Sequence, residues 1–231
     1  MEKIKPFFKA DSFYSAALQS FTIRDSLIAV VYYVLFMAML YGAGVIFEVS
    51  KIYLGIPMSI VGMLIPVAIC NHRLASIGIN SRNLAPSIIV SCILGGLLCA
   101  LYTIVPGIIH HRQLLPLKDI AYNIFFYFAI IGLSEEISFR GFIQPRLMPL
   151  LKREWLAIIL GGILFVFMHY PFQMAARNMT FLKYWPLFIA NAPFQFMWHL
   201  AFTWLYRRYG NIFGSTILHG FLNLSEGIFV G

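Results

Sequence analysis

Charge is what this chain has least of. Only 11% of its 231 residues are Asp, Glu, Lys or Arg, against roughly 25% in a soluble domain. Apolar residues reach 60%, aromatics 16%, and mean hydropathy is +0.80. A soluble domain of this length could not cover so much apolar surface with polar groups. Cysteine is scarce as well. Cys70, Cys92 and Cys99 lie inside apolar runs without CxxC spacing, so they read as buried small hydrophobes and no disulfide framework is implied. These shortages exclude a disordered chain, a secreted disulfide scaffold and a coiled coil. The net charge is +8, but the cations stand singly between apolar runs. No basic stripe tracks a phosphate backbone, so nucleic acid is not an expected partner. The chain reads as an integral membrane protein.

A spanning helix needs about 20 mostly apolar residues. Seven stretches suit: residues 26–47, 52–71, a run within 83–111, 117–139, 155–172, 184–206 and 211–230. Pro57 and Pro66 are expected kinks in the second, and Gly95-Gly96 permits close helix contact in the third. Residues 1–25 are polar and mixed, without an apolar region and small-residue cleavage site, so no cleaved signal peptide is expected. There is no internal repeat, low-complexity tract or linker. The expected fold is all-α: one integral membrane domain over residues 1–231, a polytopic helical bundle of about seven transmembrane helices, with six to eight admissible.

Seven spans would put the termini on opposite sides. With the N-terminus inside, the inner segments hold 11 cations: Lys3, Lys5, Lys9, Arg24, Arg73, Arg82, Arg146, Lys152, Arg153, Arg207 and Arg208. The outer loops hold 5: Lys51, Arg112, Lys118, Arg177 and Lys183. The positive-inside bias therefore favours a cytoplasmic N-terminus, in the plasma (cell) membrane.

Ionisable groups at membrane depth cost about 2.5–3.5 kcal/mol each on insertion scales and mark functional positions by default. Three places stand out. The stretch 134–141 carries Glu135, Glu136 and Arg140 at the end of an apolar helix. Glu136 and Arg140 are i,i+4 neighbours and should pair. Glu135 is turned about 100° away, which leaves it free to face a cavity as a general base on water. His169 ends another charge-free helix, and His219 and Asn223 share a face of a third. Two histidines, an asparagine and a free carboxylate supply a base, a proton carrier or metal ligand, and oxyanion donors. Each also has a plainer reading: helix-to-helix hydrogen bonds for the histidines and Asn223, a structural clamp for Glu136–Arg140. His199, His72, His110 and His111 are assigned to that plainer class. Glu226, seven residues after His219, can reach the outer interface.

These segments resemble the CPBP family of intramembrane proteases, which includes type II CAAX prenyl endopeptidases and bacteriocin-processing or self-immunity proteins. The motifs are Glu135-Glu136-x-x-x-Arg140 followed by Gly141 and Leu147, then Phe165-x-x-x-His169, then His219-x-x-x-Asn223. The lead-in at residues 205–212 also looks like the family's, and the match covers about residues 117–224. The resemblance implies that Glu135 and His169 activate the hydrolytic water. It gives His219 and Asn223 the oxyanion, and Glu136 with Arg140 the task of holding the site together. No HExxH is present, so the soluble zinc-protease pattern does not apply. Glu135, His169 and His219 can nevertheless bind a divalent metal such as zinc with an open water position. A metallo- and a glutamate-dependent endopeptidase would use the same residues.

The expected function is hydrolysis of a peptide bond in a membrane-associated or lipidated peptide or protein, at the bilayer. Two alternatives come from other classes: a non-hydrolytic membrane immunity or regulatory partner, and a proton-coupled carrier. Late clustering of the polar groups and the lack of paired broken helices count against the carrier.

Overall fold

The computed structural model describes residues 9–70, 73–225 and 227–230. Lys3, Lys5, His72 and Glu226 lie outside the described residues. Among the described residues there is no strand, and eight helices form an all-α bundle. In chain order they are α1 (Ser12–Ser20), α2 (Ile23–Ser50), α3 (Gly55–Ile69), α4 (Leu84–Ile109), α5 (Leu117–Leu151), α6 (Glu154–Ala176), α7 (Phe181–Tyr209) and α8 (Phe213–Leu224).

Local chemistry sets the helix ends. The Asp11 carboxylate accepts from the Phe13 N–H at 2.8 Å and caps α1. Thr22 and Asp25 form a reciprocal capping box at the start of α2, satisfying two N–H groups that the first turn leaves open. Pro57 falls in the first turn of α3, where its missing N–H interrupts no helical bond, so only Pro66 is interior. The expected kink at Pro57 is therefore a helix start.

Each of the seven expected segments contains a helix, but their lengths differ from expectation. Among the described residues, α2, α4, α5 and α6 are long and apolar enough to cross a membrane. Helix α3 is apolar but has 15 residues. Helix α8 has 12, about 18 Å at 1.5 Å per residue, well short of a ~30 Å hydrocarbon core. The count of seven spans is not carried by these lengths. The expected span at 211–230 stops at Leu224 because the chain then turns back. Leu115 N–H donates to the Ile228 carbonyl at 3.0 Å, and Val230 N–H to that of Gln113 at 2.8 Å. The stretch at 117–139 instead continues to Leu151.

Helix α2 packs on α6 and α4 on α8. Gly95 permits the second contact, since a Cβ there would enter the Phe221 ring, whereas Gly96 faces open space. Cys70 and Cys99 are buried, but Cys92 is exposed. It shares the outward face of α4 with Ile89 and Ile93, a surface whose natural solvent is lipid.

Three of the cations assigned to one side, Arg82, Arg146 and Arg207, are tied to other helices or to the N-terminal segment. Arg82 Nε pairs with Asp11 at 2.9 Å, and the Asp11 N–H donates to the Arg207 carbonyl at 2.7 Å. Arg207 pairs in turn with Glu154 at 2.6 Å, and the Ser26 hydroxyl donates to the Arg146 carbonyl.

Candidate active site

Helix α5 changes its winding twice around the paired glutamates. Phe126–Gly132 and Ile137–Ile143 are π-helical, and between them a single α-turn, Leu133–Glu136, carries both carboxylates. Such wide turns concentrate at functional sites because they re-aim side chains. Glu136 and Arg140 are completely buried, with Arg140 Nη1 3.1 Å from Glu136 Oε1. The guanidinium N–H groups are not aligned as hydrogen bonds to that oxygen. The cation is met instead by ring faces, its Cζ lying 4.2 Å from the Phe165 centroid and 4.9 Å from that of Phe202. The i,i+4 pair read from the sequence is thus present, inside an aromatic cage that the spacing did not reveal.

His219 joins the same oxygen from α8. Its Nδ1 is 3.0 Å from Glu136 Oε1, which assigns the proton to Nδ1. Its Nε2 points toward Glu135, 3.7 Å from Oε2 and beyond hydrogen-bond reach. The imidazole stacks on Phe202 with centroids 4.7 Å apart and planes at 16°. Glu135 Oε2 has no hydrogen-bond partner among the described residues, nor does Glu136 Oε2. A buried polar atom without a partner costs about 1–3 kcal/mol, so leaving these two oxygens unpaired is a standing expense in stability.

On α6, His169 Nδ1 lies 3.0 Å from the Phe165 carbonyl, so Nδ1–H donates there and the other ring nitrogen is left without that commitment. Two cavities meet at this residue. One, of about 150 Å³, is lined by Glu135, Ser134, His169 and Gln173. The other, of about 730 Å³, is lined by His169, Gln173, His219 and Asn223, with Trp198 among the apolar groups. All six site residues expected from the sequence therefore surround one region. Glu135, Glu136, Arg140 and His219 are linked by contacts within 4 Å. His169 and Asn223 join through the cavity walls.

Gln173 was missed. It lies one turn after His169 and lines both cavities, and a lone amide at i+4 in an apolar helix was the available signal. The candidate metal set is not assembled. Among the described residues, no three His, Cys, Asp or Glu side chains stand together as ligands. His219 Nδ1 is committed to Glu136 and His169 Nδ1 to a backbone carbonyl. His199 is structural as expected: it is fully buried, and its Nε2 bonds the Ile158 carbonyl at 3.0 Å, tying α7 to α6.

No curated protein and no solved structure matches the chain. The family model "Type II CAAX prenyl endopeptidase Rce1-like" matches residues 117–225, the segment from α5 to the end of α8 on which every one of these six residues stands. That match covers 109 of the 231 residues, a little under half of the chain, and makes this segment similar to the Rce1-like type II CAAX prenyl endopeptidases, a protease family, in agreement with the CPBP resemblance of the ordered motifs.

Proposed function

We propose that this protein is an intramembrane endopeptidase that hydrolyses a peptide bond of a membrane-associated or lipidated peptide or protein, with Glu135 and His169 activating the water. The observation that carries this reading is the shared 150 Å³ cavity. It is lined by both Glu135 and His169, so a carboxyl group and an imidazole border one small volume. A water there gives a proton to Glu135 as its oxygen attacks the substrate carbonyl carbon. The carbonyl oxygen becomes an oxyanion, stabilised by the Asn223 amide and by His219 in its doubly protonated form, with Nδ1–H kept on Glu136 and Nε2–H donated to the oxyanion. Collapse breaks the C–N bond, and the proton taken from water passes to the leaving amine. Glu136 keeps His219 in orientation while Arg140 balances its charge.

The substrate tail lies in the larger cavity, whose apolar walls and Trp198 suit a lipid-held or helical segment. The 11-to-5 division of cations supports a cytoplasmic N-terminus in the plasma membrane. The test compares wild type with Glu135→Gln in native membranes and identifies small membrane-associated peptides by mass spectrometry. A precursor that accumulates uncut only in the variant supports the reading and names the substrate. Identical peptide profiles overturn it.

A further inference from the structure

A second polar pocket opens at the N-terminal end of α2, and its lining shares no residue with either cavity at the glutamates. It encloses about 640 Å³, and Arg24, Arg73 and Arg146 line it together with Ser76. Arg24 and Arg73 are exposed at its mouth, while Arg146 is 96% buried at its base (4% exposed). The Arg146 guanidinium is held in place from several directions. Nη1 donates to the carbonyls of Gly141 and Phe142, Nη2 to Cys70 Sγ at 3.1 Å, and the rings of Phe21 and Phe142 cover its faces. None of these partners is an anion. The acidic group in the wall is Asp25, whose Oδ2 already accepts from the Thr22 N–H and hydroxyl. Three arginines therefore line the cavity against one carboxylate, of which Oδ2 is already engaged.

The position is that of a lipid headgroup. Arg24 is the second residue of membrane helix α2, and Arg73 follows the end of α3 by four residues. Below the pocket, α2 and α3 enclose an apolar groove of about 360 Å³ lined by Val31, Leu35, Met39 and Ile65. Ile28 and Ile69 line both the groove and the cationic pocket. The two spaces thus adjoin along the membrane normal, polar at the helix ends and apolar within. A single molecule with an anionic head and a hydrocarbon chain complements both.

We infer that this cleft between α2 and α3 binds one anionic phospholipid, its phosphate among Arg24, Arg73 and Arg146 and an acyl chain along the groove. Basic pockets between membrane helices take anionic headgroups in this way. The site is separate from the glutamate cavity, although Phe36 forms a wall common to the groove and that cavity.

The full-length protein in detergent is titrated with phosphatidylglycerol or phosphatidylcholine of equal chain length, and bound lipid is counted by native mass spectrometry. Phosphatidylglycerol is expected to bind with a stoichiometry of one and at least tenfold more tightly than phosphatidylcholine. The double variant Arg24→Gln, Arg73→Gln changes two exposed side chains and should weaken phosphatidylglycerol by about 30-fold, at ~1 kcal/mol per surface cation. Ile69→Trp, which fills the junction, should weaken the lipid, and inorganic phosphate at millimolar concentration should fail to displace it. Equal binding of the two lipids overturns the inference, as does unchanged affinity in the double variant. Displacement by inorganic phosphate together with no effect of Ile69→Trp also overturns it, in favour of a small-anion site.

Discussion

His219 Nδ1 and Glu136 Oε1 stand 3.0 Å apart although 83 positions separate the residues in the chain. This bond fastens α8 to the middle of α5 at the point where Arg140 approaches the same oxygen at 3.1 Å. One buried carboxylate thereby balances a guanidinium and sets the tautomer of an imidazole. Glu135, its neighbour in sequence, is left to the cavity.

Glu135→Gln keeps the shape of the side chain and removes the base. Cleavage of the substrate should fall by about 10²-fold or more, with an unchanged melting temperature in detergent. Near-normal turnover in this variant would remove Glu135 from the role of base.

Glu136→Ala should behave differently. It strands a fully buried guanidinium, and breaking a buried pair by removing one partner costs about 3–5 kcal/mol. Thermal unfolding of the purified protein should show a large drop in midpoint, with activity lost alongside. A stable but inactive Glu136→Ala would move the base assignment from Glu135 to Glu136.

Gln173→Leu tests the residue that bridges the two cavities. The side chain lines both and makes no hydrogen bond that braces the fold among the described residues. Loss of one hydrogen bond to substrate or water, worth about 1 kcal/mol, should lower kcat/KM by roughly fivefold while stability is maintained. Unaltered kinetics would show that the amide faces the cavity without touching the reacting groups.

Gly141→Ala probes the backbone directly after Arg140. A Cβ there would press into the Ile77 carbonyl, whose carbon is 3.0 Å away. Backbone yields less than a side chain, so about 1–3 kcal/mol of destabilisation is expected from overpacking. A melting curve matching wild type would show that the turn at Leu74–Ile77 can shift to make room.

Several features were open to reading before any fold was known. The shortage of charge required a membrane protein, because so much apolar surface has nowhere else to go. Glu136 and Arg140 could be paired from helical spacing, and His219 and Asn223 could be placed on one face, since both are local relationships. Membrane helices in a chain with few charges also make each polar residue conspicuous. Glu135, His169 and His219 were found for that reason, and Gln173 was overlooked because an uncharged amide is less conspicuous.

Other features belong to the assembled bundle. Spacing on an ideal helix cannot reveal the π-turns flanking Leu133–Glu136, which arise where α5 packs against its neighbours. Nor can it show that α8 ends after 12 residues, a length decided by the turn that returns the chain to Gln113 and Leu115. Periodicity determined the helical class, the membrane environment and the polar residues worth attention, because these depend on residues a few positions apart. Only tertiary structure decided that Glu136 serves both Arg140 and His219, that Glu135 and His169 face one cavity, and that three arginines surround another. Those relationships join residues far apart in the chain, and packing between helices sets their distances.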